Sequence, residues 1–268
     1  MPHIQTARLR IHYEIKGSGD PVFFISGTGA DLRNKPNFLD GPAPLQFETL
    51  AYDQRGLGQT DKPDQPYTMA DYADDAVALL DALGWQQPNV IGVSFGGMVA
   101  QELALRHPDR INRLVLACTS PGGDGGASYP LHDVQDMDPV ERAKFMIPIS
   151  DTRRNAAWAA ANPKEYDFFV EYASTDSYAG EPGRAMGATR QLEARKNHDT
   201  WDRLPGIKHP TLICGGVYDG IALPATQEKL AAQIPNAALA MFDGGHLFMI
   251  QDKTAVPAML DFLNADKS

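Results

Sequence analysis

The sequence predicts an α/β fold, a mostly parallel twisted sheet flanked by helices and interrupted by a helical cap insertion. Three observations predict it. Short, continuously apolar runs alternate with helix-like segments along most of the chain. A Gly-x-Ser-x-Gly turn joins one apolar run directly to one helical segment. From residue 121 to residue 204 no strand-like run occurs.

Strands are expected at 11–16, 22–26, 47–52, 89–93, 114–118, 211–214 and 238–242. Continuous apolar runs of this length suit strands covered on both faces. The clearest helix is 69–83, where Met69, Tyr72, Ala73, Ala76, Leu80 and Leu83 recur at helical spacing. Thr68 supplies a cap with Asp71 three residues on, and Gly84 stops the helix. A second helix should start just after Ser94 and end at His107-Pro108, with two more at 224–232 and 254–264. Residues 1–120 and 205–268 then form one core, and 121–204 an insertion. The insertion opens on Pro121-Gly122-Gly123-Asp124-Gly125-Gly126, which reads as a flexible connector. Short helices are expected in it at 154–161 and 166–173.

The composition, 43% hydrophobic and 22% charged, is that of a globular chain able to bury a core. A net charge of -10 disfavours nucleic acid and anionic membrane as partners. Cys118 and Cys214 each close an apolar run and should be buried, reduced thiols. Met1-Pro2-His3-Ile4-Gln5 lacks a basic segment followed by an apolar one, and no run is long enough to span a bilayer. A cytoplasmic protein is the expectation. Nothing in the sequence speaks to oligomeric state.

The chemistry centres on Gly92-Val93-Ser94-Phe95-Gly96-Gly97, between an expected strand and an expected helix. The turn is so tight that glycines at 92 and 96 are needed to avoid clashes, and Ser94 projects above the sheet as a nucleophile. A serine hydroxyl needs a base. Of seven histidines, His246 stands out in Phe242-Asp243-Gly244-Gly245-His246, just after the last strand. His107, before Pro108, suits a carbonyl cap at a helix end. Asp219, on the loop after 211–214, is the acid that would orient the base, with Asp124 its rival. The order Ser94, Asp219, His246, each on a loop after a strand, is a stronger signal than any one motif. The oxyanion donors should be the N–H groups of Phe95 and, from Ser26-Gly27-Thr28-Gly29-Ala30, of Thr28, with Gly29 second.

Taken with Asp53-Gln54-Arg55-Gly56-Leu57-Gly58, which matches a bracing Asp-x-Arg-Gly-x-Gly turn, most of the chain resembles the α/β-hydrolase superfamily. Within it, Ile25-Ser26-Gly27-Thr28-Gly29 and Gly244-Gly245-His246 resemble the 3-oxoadipate enol-lactonase and aminoacrylate hydrolase group. The resemblance implies the triad Ser94, Asp219 and His246 and a cap at 121–204. Ser26 departs from the histidine many members carry before the oxyanion glycine.

The expected reaction is acyl transfer to a small-molecule substrate, an ester or lactone, with no metal or organic cofactor. The same triad also serves carbon–carbon hydrolysis or perhydrolysis, and a slow one a ligand-binding receptor. Within the insertion Trp158, Arg190 and His198 are candidate substrate contacts, and Arg184 and Arg195 are further cations for a carboxylate. The run 190–195 reads equally as a solvated helix face, and Trp158 and Trp201 as packing between insertion and sheet.

Overall fold

The computed structural model describes residues 2–265. Eight strands form one sheet: β1 (His3–Gln5), β2 (Arg10–Lys16), β3 (Pro21–Ile25), β4 (Glu48–Tyr52), β5 (Asn89–Val93), β6 (Leu114–Ala117), β7 (Thr211–Gly216) and β8 (Ala237–Phe242). The order across the sheet is β1-β2-β4-β3-β5-β6-β7-β8. The pairs β1–β2 and β2–β4 are antiparallel, and every other pair is parallel.

Side-chain alternation explains why both faces must be covered. Val22, Ile91, Val115, Ala117, Leu212 and Cys214 enter one apolar core. Their chain neighbours Phe23, Val90, Leu114, Leu116 and Ile213 enter another. Strands that are apolar on both faces need helices on both. Helices α1 (Met69–Leu83) and α2 (Phe95–Arg106) cover the second face, packing Tyr72, Leu79, Val99 and Leu103. On the first, α9 (Ala255–Asn264) contributes Met259, Leu260 and Leu263. Thr68 and Asp71 form the capping box expected for α1, and Gly84 ends it in the left-handed conformation at φ 73°.

Between β6 and β7 lie α3 (Pro139–Ser150), α4 (Ala156–Ala161), α5 (Pro163–Ser174) and α6 (Arg184–Lys196). Helix α7 (Pro224–Gln233) joins β7 to β8, and α8 (Phe248–Gln251) precedes α9. The strand-free stretch is therefore helical as expected. Its opening glycines are not a flexible connector. Gly122 pairs with Gly126 in an isolated β-bridge, and Pro121 O accepts from Thr200 N at 2.7 Å. A β-carbon at Gly122 would stand 1.9 Å from His198 O, so the segment is folded hard against the end of the insertion.

The Asp53–Gly58 turn braces the sheet. Buried Asp53 accepts from His12 Nδ1 at 2.9 Å and from the N–H groups of Leu32 and Gln59, each at 2.8 Å. Arg55 grips Asp75 of α1 through two hydrogen bonds, 2.7 and 2.8 Å, with both residues buried. Asp75 also accepts from Arg8 Nε at 2.7 Å, so removing Arg55 leaves its charge only partly compensated. Arg55→Met should therefore cost about 2 kcal/mol and lower Tm by about 5 °C, read by calorimetry. His107 makes no carbonyl cap with its ring; its Nε2 meets Asp74 Oδ1 at 2.8 Å.

Candidate active site

Ser94 sits between β5 and α2 with φ 54° and ψ -115°, a conformation that costs a residue bearing a β-carbon about 1–3 kcal/mol. Neighbours hold it there. Ser94 N donates to Ala117 O at 2.8 Å, and Ser94 O accepts from Gly97 N and Thr119 Oγ1 at 2.9 and 2.7 Å. A β-carbon at Gly96 would lie 2.0 Å from Ile25 O, which is why the turn can pack on β3 only with glycine at that position.

His246 arrives from the loop after β8. That loop threads past the end of α3, where His246 N donates to Ser150 O at 2.6 Å. A β-carbon at Gly245 would stand 2.2 Å from the same Ser150 O. The imidazole spans two partners, with Nε2 3.0 Å from Ser94 Oγ and Nδ1 2.8 Å from Asp219 Oδ2. Asp219, 1% exposed, is aimed by its other oxygen, which accepts from Ile221 N at 2.7 Å and Ala222 N at 2.9 Å. Asp219 thus presents a fixed carboxylate to Nδ1, and Nε2 faces the serine hydroxyl. The rival Asp124 is exposed, and Asp243 pairs with Arg153 at 2.8 Å.

The strained turn leaves the Phe95 N–H at the start of α2 without an intrahelical partner. Across from it, the loop after β3 brings Gly27 against Ser94, where a β-carbon would come 3.5 Å from Ser94 Cβ. Among the described residues neither Phe95 N–H nor Thr28 N–H has a protein acceptor. Gly29, the second choice from sequence, differs. Its N–H is taken by Gln191 Oε1 of α6 at 2.8 Å. Sequence reasoning missed Gln191, a fully buried side chain whose part depends on a partner 162 residues away.

The insertion is tied to the same loop by charge. Asp31 accepts from Arg33 at 2.7 Å and from Arg184 at 2.8 Å, and Arg33 also pairs with Glu181. These hydrogen bonds hold the Asp31 carboxyl down at about 2 against the opposing effect of burial. Arg184 is thus committed. Arg190 is turned to Glu193 at 2.9 Å and Asp64 at 3.4 Å. Trp158 packs against Phe169 and beneath the Arg154 guanidinium, within α4 and α5, and Trp201 packs on the core. Arg190 fits the solvated-face reading and Trp201 the packing one, but Trp158 packs within the insertion and not onto the sheet. The run 190–195 is no solvated face, since Gln191, Ala194 and Arg195 are buried. His198 is buried, and burial pushes its ring down to about 4. A cavity of about 240 Å³ runs from Thr28 to Leu131, Ala143, Met146 and Leu192 of the insertion. Cys118 and Cys214 are free and buried, and burial raises both thiols. Among the described residues no helix is long and apolar enough to cross a membrane.

Residues 20–253 match the family described as alpha/beta hydrolase fold. The chain is 36% identical over 258 residues to a 2-hydroxymuconate semialdehyde hydrolase of Pseudomonas putida, covering 92% of this chain and 88% of that protein. It is 31% identical over 250 residues to a poly(3-hydroxyalkanoate) depolymerase of Ectopseudomonas oleovorans, covering 92% and 85%. The crystal structure of an enol-lactonase from Burkholderia xenovorans superposes with a TM-score of 0.80 at 26% identity, covering 98% of this chain and all of that one. These matches bear out the expected fold and superfamily. With one strand order, one elbow and one family match over most of its length, the chain belongs to the alpha/beta hydrolase family.

Proposed function

We propose that the protein is a serine hydrolase that cleaves a small carboxylic ester or lactone through an acyl-enzyme on Ser94. The observation that carries this reading is the imidazole of His246, 3.0 Å from the Ser94 hydroxyl and 2.8 Å from the Asp219 carboxylate. In this reading His246 takes the serine proton as Ser94 attacks the carbonyl. The Phe95 and Thr28 N–H groups receive the oxyanion. His246 then protonates the leaving alkoxide, and water repeats the cycle on the acyl group. Residues 121–204 serve as the cap over the site. Two buried, unpaired cysteines suit a reducing compartment, and we place the enzyme in the cytoplasm.

A second reading keeps the triad and cleaves a carbon–carbon bond. It draws on the 36% identity to a 2-hydroxymuconate semialdehyde hydrolase. Two measurements separate the readings. A fluorophosphonate probe should label the peptide containing Ser94, and p-nitrophenyl acetate should be turned over steadily. Labelling without ester turnover favours the carbon–carbon reading, an acyl burst with no turnover favours a receptor, and absence of labelling overturns a Ser94 nucleophile.

A further inference from the structure

The insertion holds one buried cation without a counter-ion. Arg195 lies on α6 one turn beyond Gln191, on the same inward face, and is 6% exposed. Its Nη2 donates to Ser128 Oγ and, at 3.4 Å, to Tyr129 O, while its Nη1 is buried with no partner. The protein pairs other inward-facing guanidiniums with carboxylates: Arg55 with Asp75 and Arg184 with Asp31. Burial with no compensating acid pulls Arg195 down to about 10. In a chain of net charge -10, the absence of an acid here is a local exception. An ionised group taken from water without a partner is costly, so such a site is built for an anion that comes and goes.

The cavity in front of it fits that description. It measures about 70 Å³, room for a carboxylate rather than a whole substrate. Arg195, Lys196, His198, Ser120 and Met98 line it, and no aspartate or glutamate does. Met98 lies one helical turn beyond Ser94 on α2, roughly 6 Å along the axis. Pro130 and His132 line this cavity, and Leu131 between them lines the larger one that reaches Thr28.

We propose that Arg195 is a carboxylate subsite, and that the substrate is a short ester or lactone carrying a free carboxylate a few bonds from the carbonyl attacked by Ser94. This rests on the serine-hydrolase reading for the reaction, but not for the binding. A planar guanidinium with an unused nitrogen suits two-point contact with a carboxylate, and Ser120 adds a hydroxyl.

The test compares monomethyl adipate with methyl hexanoate, followed by release of methanol. The wild-type protein should favour the monoacid in kcat/KM, and Arg195→Gln should cut that preference roughly 10- to 100-fold, mostly through KM. Arg195→Lys, which keeps the charge but not the fork, should recover part of it. In parallel, adipate should raise the Tm of Ser94→Ala protein and should lose that effect when Arg195→Gln is added. A preference for the neutral ester, a preference untouched by Arg195→Gln, or an adipate shift that survives the double substitution overturns the subsite. Adipate binding through Arg195 without hydrolysis of either ester leaves the subsite standing and removes the esterase reading.

Discussion

Ser94→Ala should lower kcat on p-nitrophenyl acetate by about 10⁵- to 10⁶-fold while leaving Tm within a few degrees of wild type. Alanine carries the same β-carbon through the same backbone conformation, φ 54°, so the strain of the turn is unchanged. The hydrogen bonds that hold the turn involve the Ser94 backbone and not the lost hydroxyl. What disappears is the oxygen 3.0 Å from His246 Nε2. Retention of more than a few per cent of the activity would mean that another group attacks. A large fall in Tm would mean that the hydroxyl is structural.

Asp219→Asn is the second large effect, and its direction follows from donors already in place. The Oδ1 atom of Asp219 faces two N–H groups, of Ile221 and Ala222. An asparagine must keep its carbonyl oxygen there, since its NH2 would oppose two donors. The amide NH2 is then left facing His246 Nδ1. That nitrogen must accept, which moves the ring proton to Nε2, where it points at Ser94 and cannot receive the serine proton. Turnover should fall about 10⁴-fold with KM little changed. Nitrogen chemical shifts of the His246 ring should report the exchanged tautomer. A variant with the original tautomer and a loss below tenfold would remove Asp219 from its proposed role.

The sequence made the sheet and the elbow legible because their signals are local. An apolar run, two glycines around Ser94 and the capping pair Thr68 and Asp71 each act within a few residues. Asp219 and His246 were legible through order along the chain, each on a loop after a strand. The three-residue strand β1 and the four-residue helix α8 are too short to carry a periodic pattern. Helix α3 was missed, and α6 was read only over 190–195 and with the wrong face inward, for another reason. Only Ala143 and Ile147 are buried in α3, and α6 buries Gln191 and Arg195 alongside Gly187 and Ala194. A helix that turns polar groups inward has no apolar stripe to read. The glycines at 122–126 look like a loose linker until the chain that closes over them, ending in His198 and Thr200, is in place. Gln191 and Arg195 share that difficulty, since their meaning lies in burial and in partners far away in the chain.

The hydrogen bond from Gly29 to Gln191 bears on how such proteins can be recombined. Since a side chain of the insertion fixes the backbone of the loop that faces Ser94, the two segments are structurally coupled. A chimera that keeps this sheet but borrows a foreign insertion needs an acceptor opposite Gly29. Lacking it, the chimera would exchange its selectivity and forfeit its rate in the same step.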